Sequence, residues 1–244
     1  MKVGVFDSGA GGLTVAKSLL EYPLFDEIIY YGDTARVPYG TKDSNTIIRY
    51  SLEALEFFNN FDIDILITAC NTVSAYALDS IRQKANYPIY GVIEPGIWAL
   101  NNRVKSKDSK ILIMATKATV NSKRYQNELK ELGYNNIQSI QTGMLVPIVE
   151  EGILEGKVLT EMLHYYFKDV KTPDAIILGC THFPLIAKEI SKYFDNRPLL
   201  IHSGEAIVEY LQAKGYSKIN TKPTIKINAS ESVYSLREIA SKWL

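Results

Sequence analysis

Two cysteines are the residues in this chain best suited to chemistry. Cys70 closes the apolar run Ile65-Leu66-Ile67-Thr68-Ala69, and Asn71-Thr72 follow it. Cys180 closes Ile177-Leu178-Gly179, and Thr181-His182 follow it. They are the only two cysteines in 244 residues. Each run predicts a buried strand, and a helical pattern comes after each Cys. A thiol at the carboxyl end of a parallel strand stands where open α/β sheets place their ligands. The N-terminus of the next helix favours negative charge at the same spot. One such cysteine is usually an inert buried side chain, but two in matched contexts argue for a shared task. His182, two residues after Cys180, is the titratable group best placed to exchange a proton with a thiol.

Three further stretches carry polar groups that a site could use. Asp7-Ser8-Gly9-Ala10-Gly11-Gly12 follows the first strand, and its glycines let backbone N–H groups approach a ligand. It lacks both the dinucleotide fingerprint and the Gly-Lys-Ser/Thr ending of a phosphate loop. The plainer reading is a tight turn with Asp7 as a helix cap. Tyr31 to Gly40 is long for a strand–helix connection, and Pro38-Tyr39-Gly40 at its end could clamp a carboxylate through backbone amides. Read plainly, it is a surface loop with a weak Asp33–Arg36 ion pair. Glu150-Glu151 follow an apolar run, which predicts a solvated helix end unless one of them turns into a cleft.

Thiols that face each other have few uses without a metal or nucleotide motif. Redox exchange favours a Cys-x-x-Cys pair, which is absent. Acyl transfer by a Cys–His pair leaves the second cysteine idle. Proton transfer at a carbon acid uses both: one sulfur takes a proton from one face of the carbon, the other returns a proton to the opposite face, and the stereocentre inverts.

The elements that must position these groups alternate along the whole chain. Strands are predicted at 3–6, 27–31, 63–69, 89–92, 110–115, 137–141, 175–178, 199–202 and 224–228. Most are near-continuous Val, Ile and Leu, as in strands buried on both faces. Helical patterns lie between them, as over 44–60, where Ile47, Ile48, Leu52, Leu55 and Phe58 share a face. Others cover 73–85, 119–132, 157–167, 184–194, 204–214 and 230–243. This alternation predicts an α/β fold with mostly parallel sheets flanked by helices. The repeated strand–Cys–helix unit predicts two similar lobes, related by a pseudo-twofold axis, with the site in the cleft between them. The first lobe is expected to hold residues 1–93 plus 204–244 and to carry Cys70. The second is expected to hold 94–203 and to carry Cys180. Gly91 to Gly96 is the expected crossing, because Pro95 and Gly96 break regular structure; 101–110 is expected to be a solvated loop.

Composition narrows the function further. Lys plus Arg and Asp plus Glu are both 27, so the net charge is zero, and no nucleic-acid partner is expected. No apolar run is long enough to span a bilayer. The N-terminus opens directly into a strand without a signal-peptide pattern, which predicts a cytoplasmic protein with reduced thiols. That compartment argues against a Cys70–Cys180 disulfide, the structural alternative. The three histidines are scattered and no Cys pair has ligand spacing, so no metal site is expected.

These motifs, in order and over nearly the whole chain, resemble bacterial glutamate racemases. The residues that carry the resemblance are Phe6-Asp7-Ser8-Gly9-x-Gly11-Gly12-Leu13, Gly32-Asp33-Thr34-Ala35-Arg36-x-Pro38-Tyr39-Gly40, Ala69-Cys70-Asn71-Thr72, Gly91-Val92-Ile93-Glu94-Pro95, Ala115-Thr116-x-Ala118-Thr119 and Leu178-Gly179-Cys180-Thr181-His182-Phe183-Pro184-Leu185. The related aspartate racemases carry Glu where His182 stands and lack the Gly32–Gly40 loop. Val73 replaces the Ala of many members, a packing change.

The resemblance implies a cofactor-independent two-base racemisation of L-glutamate to D-glutamate, which serves peptidoglycan synthesis. It implies that Cys70 deprotonates D-glutamate with help from Asp7, and that Cys180 deprotonates L-glutamate with help from His182. Glu150 would stand near the substrate amine. Ser8, Pro38, Tyr39 and Gly40 would hold the side-chain carboxylate. Asn71, Thr72, Thr116, Thr119 and Thr181 would hold the α-amino acid end. A homodimer without nucleic-acid or membrane partners is implied as well. Aspartate racemisation, or a catalytically silent amino-acid-binding protein of the same fold, is the alternative.

Overall fold

The computed structural model describes residues 1–244. Nine strands, numbered in chain order, form two sheets in which every pair is parallel. The first sheet runs β4 (Ile89–Tyr90), β3 (Ile65–Thr68), β1 (Lys2–Asp7), β2 (Glu27–Gly32), β9 (Thr224–Ala229). The second runs β6 (Ile137–Gln141), β5 (Ile111–Ala115), β7 (Ala175–Gly179), β8 (Leu199–Ile201). The order β4-β3-β1-β2 in one corresponds to β8-β7-β5-β6 in the other. The centres β1 and β5 match, as do β3 and β7, the strands that lead into Cys70 and Cys180. Only β9 has no counterpart.

Burial follows strand position. β1, β3, β5 and β7 are buried almost throughout, as parallel strands covered on both faces should be. The edge strands β6 and β9 are only half buried. All nine expected strands are present, most shifted by one or two residues at their ends.

The helices are α1 (Leu13–Glu21), α2 (Ser44–Phe58), α3 (Asn71–Tyr76), α4 (Leu78–Arg82), α5 (Ile93–Arg103), α6 (Lys117–Asn121), α7 (Arg124–Glu131), α8 (Leu145–Glu150), α9 (Lys157–Phe167), α10 (Ala187–Tyr193), α11 (Ser203–Ala213) and α12 (Val233–Trp243). None is long and apolar enough to cross a membrane. Three features depart from the sequence-based pattern. The expected crossing at Gly91–Gly96 and the start of the loop at 101–110 belong in part to α5. Pro95 sits in its first turn, where a missing N–H leaves no helical bond unmade. The helix expected over 73–85 is divided between α3 and α4. That over 119–132 is divided between α6 and α7 at Lys123, whose backbone is left-handed at φ 60° and cannot continue a helix.

One apolar cluster joins the two sheets. It links Val3 and Val5 of β1 and Leu13 of α1 to Leu112 and Met114 of β5 and Leu178 of β7. The lobes therefore share a continuous core, and the polar site lies in the cleft at the carboxyl ends of both sheets.

Candidate active site

Asp7 ends β1, Thr116 and Cys180 directly follow β5 and β7, and Cys70 is the second residue past β3. The pseudo-symmetric sheets thus deliver these groups to one place. A cavity of about 30 Å³ is lined by Ser8, Cys70, Asn71 and Thr72 from one side, Thr116, Cys180, Thr181 and His182 from the other, and Pro38, Tyr39 and Gly40 from the long loop. That is room for a water molecule or two. A wider cavity of about 460 Å³ shares Pro38, Gly40, Thr116 and Val146 with it and adds Lys117, Glu150 and Tyr166. It forms the mouth of the site.

Both cysteines are free and buried, which removes the disulfide alternative. On the Cys70 side, Ser8 Oγ lies 3.4 Å from Cys70 Sγ. Asp7 is fully buried. The N-cap of α1 is Gly12, which has no side chain to cap with. Asp7 Oδ2 accepts from the Gly9 amide at 2.9 Å and Oδ1 accepts from Thr181 Oγ1 at 3.4 Å. Burial raises the Asp7 carboxyl above the usual carboxylate range, against the pull of His182 and the Gly9 and Gly12 amides. Burial also pushes the Cys70 thiol up to about 12, and the neighbouring Asp7 adds to the effect. Cys70 is therefore held as a neutral thiol, with a carboxylate nearby that can take its proton. Tyr30, buried behind the turn, donates to the Gly9 carbonyl at 2.8 Å and fixes its shape.

On the Cys180 side, Nδ1 of His182 lies 3.6 Å from Cys180 Sγ, and Nε2 lies 2.9 Å from Glu150 Oε1. Burial alone would lower the imidazole. The hydrogen bonds to Cys180 and Glu150, with the charges behind them, outweigh it and push His182 up to about 10. At neutral pH both ring nitrogens carry protons and both donate. Glu150, at the end of α8, is thus the carboxylate that reaches His182, with 33% of its side chain still exposed; Glu151 is exposed as well. Trp243 of α12 packs edge-on against His182, with ring centroids 6.2 Å apart. Gly11 of the first turn lies so close that a Cβ there would stand 2.6 Å from the His182 ring, and Thr14 Oγ1 donates to the Thr181 carbonyl at 2.8 Å.

Three threonines bridge the lobes. The hydroxyls of Thr72, Thr116 and Thr119 lie 3.1 Å from one another. Thr119 stands behind the other two and is nearly fully buried. Such a ring offers hydrogens that a carboxylate can accept in place of the internal bonds.

The loop before Tyr39 is not a plain surface turn. Asp33 is fully buried and accepts from Arg36 Nε at 2.7 Å and from the Tyr39 hydroxyl. The Arg36 guanidinium stacks on Tyr50 with its carbon 4.2 Å from the ring centre. Tyr39 therefore spends its hydroxyl on Asp33 and can serve a ligand only through its backbone or ring edge. A Cβ on Gly40 would stand 2.6 Å from Thr116 Cβ, so the loop closes directly onto the second lobe.

The sequence did not point to Val37 and Val146, which wall the cavity, or to Trp243, Tyr30 and Tyr125. Each is an ordinary core-type residue in sequence, and only its place in the fold brings it to the site.

Comparison with known proteins agrees with this architecture. The Asp/Glu/Hydantoin racemase family model matches residues 21–211. The glutamate racemase of Nitratiruptor sp. is 61% identical over 245 residues, an alignment that covers 100% of this chain and 96% of that protein. The crystal structure of glutamate racemase from Campylobacter jejuni has a TM-score of 0.98 and 56% identity, covering 100% of this chain and 98% of its own. The Francisella tularensis glutamate racemase, solved in complex with D-glutamate, has a TM-score of 0.88 and 31% identity, with 100% and 93% covered. On the profile match and these full-length similarities, the chain belongs to the Asp/Glu/Hydantoin racemase family.

Proposed function

We propose that this chain interconverts L- and D-glutamate by two-base proton transfer, without a cofactor. The observation that carries the reading is two free, buried thiols lining one cavity from opposite lobes, each with its own ionisable partner. In the D-to-L direction, Cys70 gives its proton to Asp7 as substrate binds. The thiolate then takes the α-proton of D-glutamate, and the C–H electron pair passes to carbon. The Cys180 thiol delivers a proton to the opposite face, and His182 stabilises the thiolate left behind. The L-to-D direction runs the same steps backwards. An amino-acid α-proton is weakly acidic, so the site must stabilise the charge that develops toward the α-carboxylate. Asn71, Thr72, Thr116, Thr119 and Thr181 supply donors for that end. Ser8 and the Pro38-Tyr39-Gly40 backbone hold the distal carboxylate, and Glu150 faces the ammonium group while it orients His182.

The chain divides, in this reading, into a lobe of 1–93 plus 204–244 and a lobe of 94–203. It works as a cytoplasmic homodimer that supplies D-glutamate for peptidoglycan. Glutamate is preferred to aspartate because a site built to hydrogen-bond the distal carboxylate loses those bonds with a shorter substrate. The test is polarimetry of the purified, chelator-dialysed protein with each enantiomer of glutamate and aspartate and no additive. Racemisation of glutamate well above aspartate is expected. Equal kcat/KM for aspartate would reassign the loop, and binding without turnover would make the protein a silent binder.

A further inference from the structure

Tyr125 of α7 is buried with no solvent contact beyond 1% of its surface. Its ring lies under two glycine backbones: a Cβ on Gly96 would stand 3.5 Å from its hydroxyl, and one on Gly179 would stand 3.6 Å from its ring. Gly179 directly precedes Cys180. The Tyr125 hydroxyl has one partner, Oδ1 of Asn71, to which it donates at 2.7 Å. Asn71 directly follows Cys70 and lines the cavity. A single side chain of the second lobe therefore fills the space beside the glycine that precedes one cysteine and bonds the side chain beside the other. Asn71 Nδ2 in turn reaches Ser203 Oγ at 3.5 Å, at the start of α11.

A side-chain amide has an accepting end and a donating end of nearly the same shape. Its orientation is decided by its neighbours. A donor fixed against Oδ1 leaves the NH2 group for the remaining partners. That matters here because a carboxylate accepts hydrogen bonds and repels a carbonyl oxygen. Ser203 takes at most one of the two Nδ2 hydrogens, so one is left for a ligand.

We propose that Tyr125 is a positioning residue: its hydroxyl holds the Asn71 amide with the NH2 group turned to the substrate α-carboxylate, and it ties the Cys70 loop to the lobe that carries Cys180. The inference rests on the proposed racemase function. Tyr125 does not touch the substrate, and its effect passes through Asn71.

A double-mutant cycle tests this, with KM and kcat measured in both directions for the wild type, Tyr125→Phe, Asn71→Ala and the double variant. Tyr125→Phe keeps the ring and its packing and removes only the hydroxyl. It is expected to raise KM for both enantiomers about tenfold, as for loss of one hydrogen bond to a charged group, with a much smaller change in kcat. In the Asn71→Ala background the same change should add nothing, because the group it orients is gone. A purely structural tyrosine would cost the same in both backgrounds, and that result overturns the proposal, as does an unchanged KM in Tyr125→Phe. Should Tyr125→Phe fail to fold, Asn71→Asp keeps an acceptor for the hydroxyl and replaces the donor by an anion. It is expected to bind glutamate more weakly than Asn71→Ala, and wild-type KM in Asn71→Asp overturns the proposal. A wild type that does not racemise glutamate refutes the function itself, an outcome separate from a failed cycle on an active enzyme.

Discussion

His182 and Glu150 share a hydrogen bond of 2.9 Å, made by the ring nitrogen that faces away from Cys180. The imidazole is almost fully buried, yet its proton is held up to about 10 because a carboxylate stands on one side and a sulfur on the other. The two contacts turn an isolated histidine into a charged donor aimed at a thiol.

Glu150→Gln keeps an acceptor at this position and removes the charge. The imidazolium then loses one of the groups that hold it charged, so its pKa falls toward the ordinary value of about 6.5. The alkaline limb of the kcat/KM profile should move down by about one pH unit, the usual size for a near charge. A limb that stays in place would show that Glu150 does not set the protonation of His182.

The same histidine links stability to pH. Its folded value of about 10 lies above the unfolded value of 6.5, so the folded chain holds the proton more tightly. The resulting stability is fully present below about pH 6.5 and is lost as pH rises toward 10. Melting temperature measured against pH should fall across that window in the wild type by several degrees more than in His182→Asn. Parallel curves for the two proteins would contradict the assignment.

Each thiol should serve one enantiomer. Cys70→Ser leaves a poor base facing D-glutamate, and Cys180→Ser does the same for the L form. Racemisation should drop by roughly a thousandfold or more in either variant, since both faces are needed for each turnover. Elimination from a glutamate with a leaving group on its β-carbon needs one base only. Cys70→Ser should eliminate faster from the L form and Cys180→Ser from the D form. A shared preference in the two variants would rule out the division of labour.

Gly11 has no room for a side chain. A methyl group there would overlap Thr181 Oγ1, the donor to Asp7, and stand 2.6 Å from the His182 ring, so the contacts of both Asp7 and Cys180 would have to give. Gly11→Ala should therefore slow racemisation by about a hundredfold, within the range seen for loss of a proton-transfer partner. In the elimination assay both enantiomers should react more slowly. An unchanged rate for either form would mean that its base does not depend on the packing at Gly11.

The sequence by itself determined the layered α/β fold and singled out the candidate reacting groups. Near-continuous Val, Ile and Leu runs suit strands buried on both faces of a parallel sheet, which made the central strands legible, while the edge strands β6 and β9 showed as mixed apolar and polar residues. Cys70, Cys180 and His182 were legible because position after a strand is a local property. Helix boundaries were less so. Pro95 breaks regular structure in an extended chain but is accommodated in the first turn of α5, and Lys123 adopts a left-handed backbone that its side chain does not announce. Only the tertiary structure decided which groups act on which. The reach of Glu150 to His182, of Thr181 to Asp7 and of Tyr125 to Asn71 joins residues far apart in the chain. The raised values of Asp7, Cys70 and His182 arise from burial and from these neighbours. Desolvation and charge proximity depend on what packs around a group, and no spacing of residues along a chain contains that information.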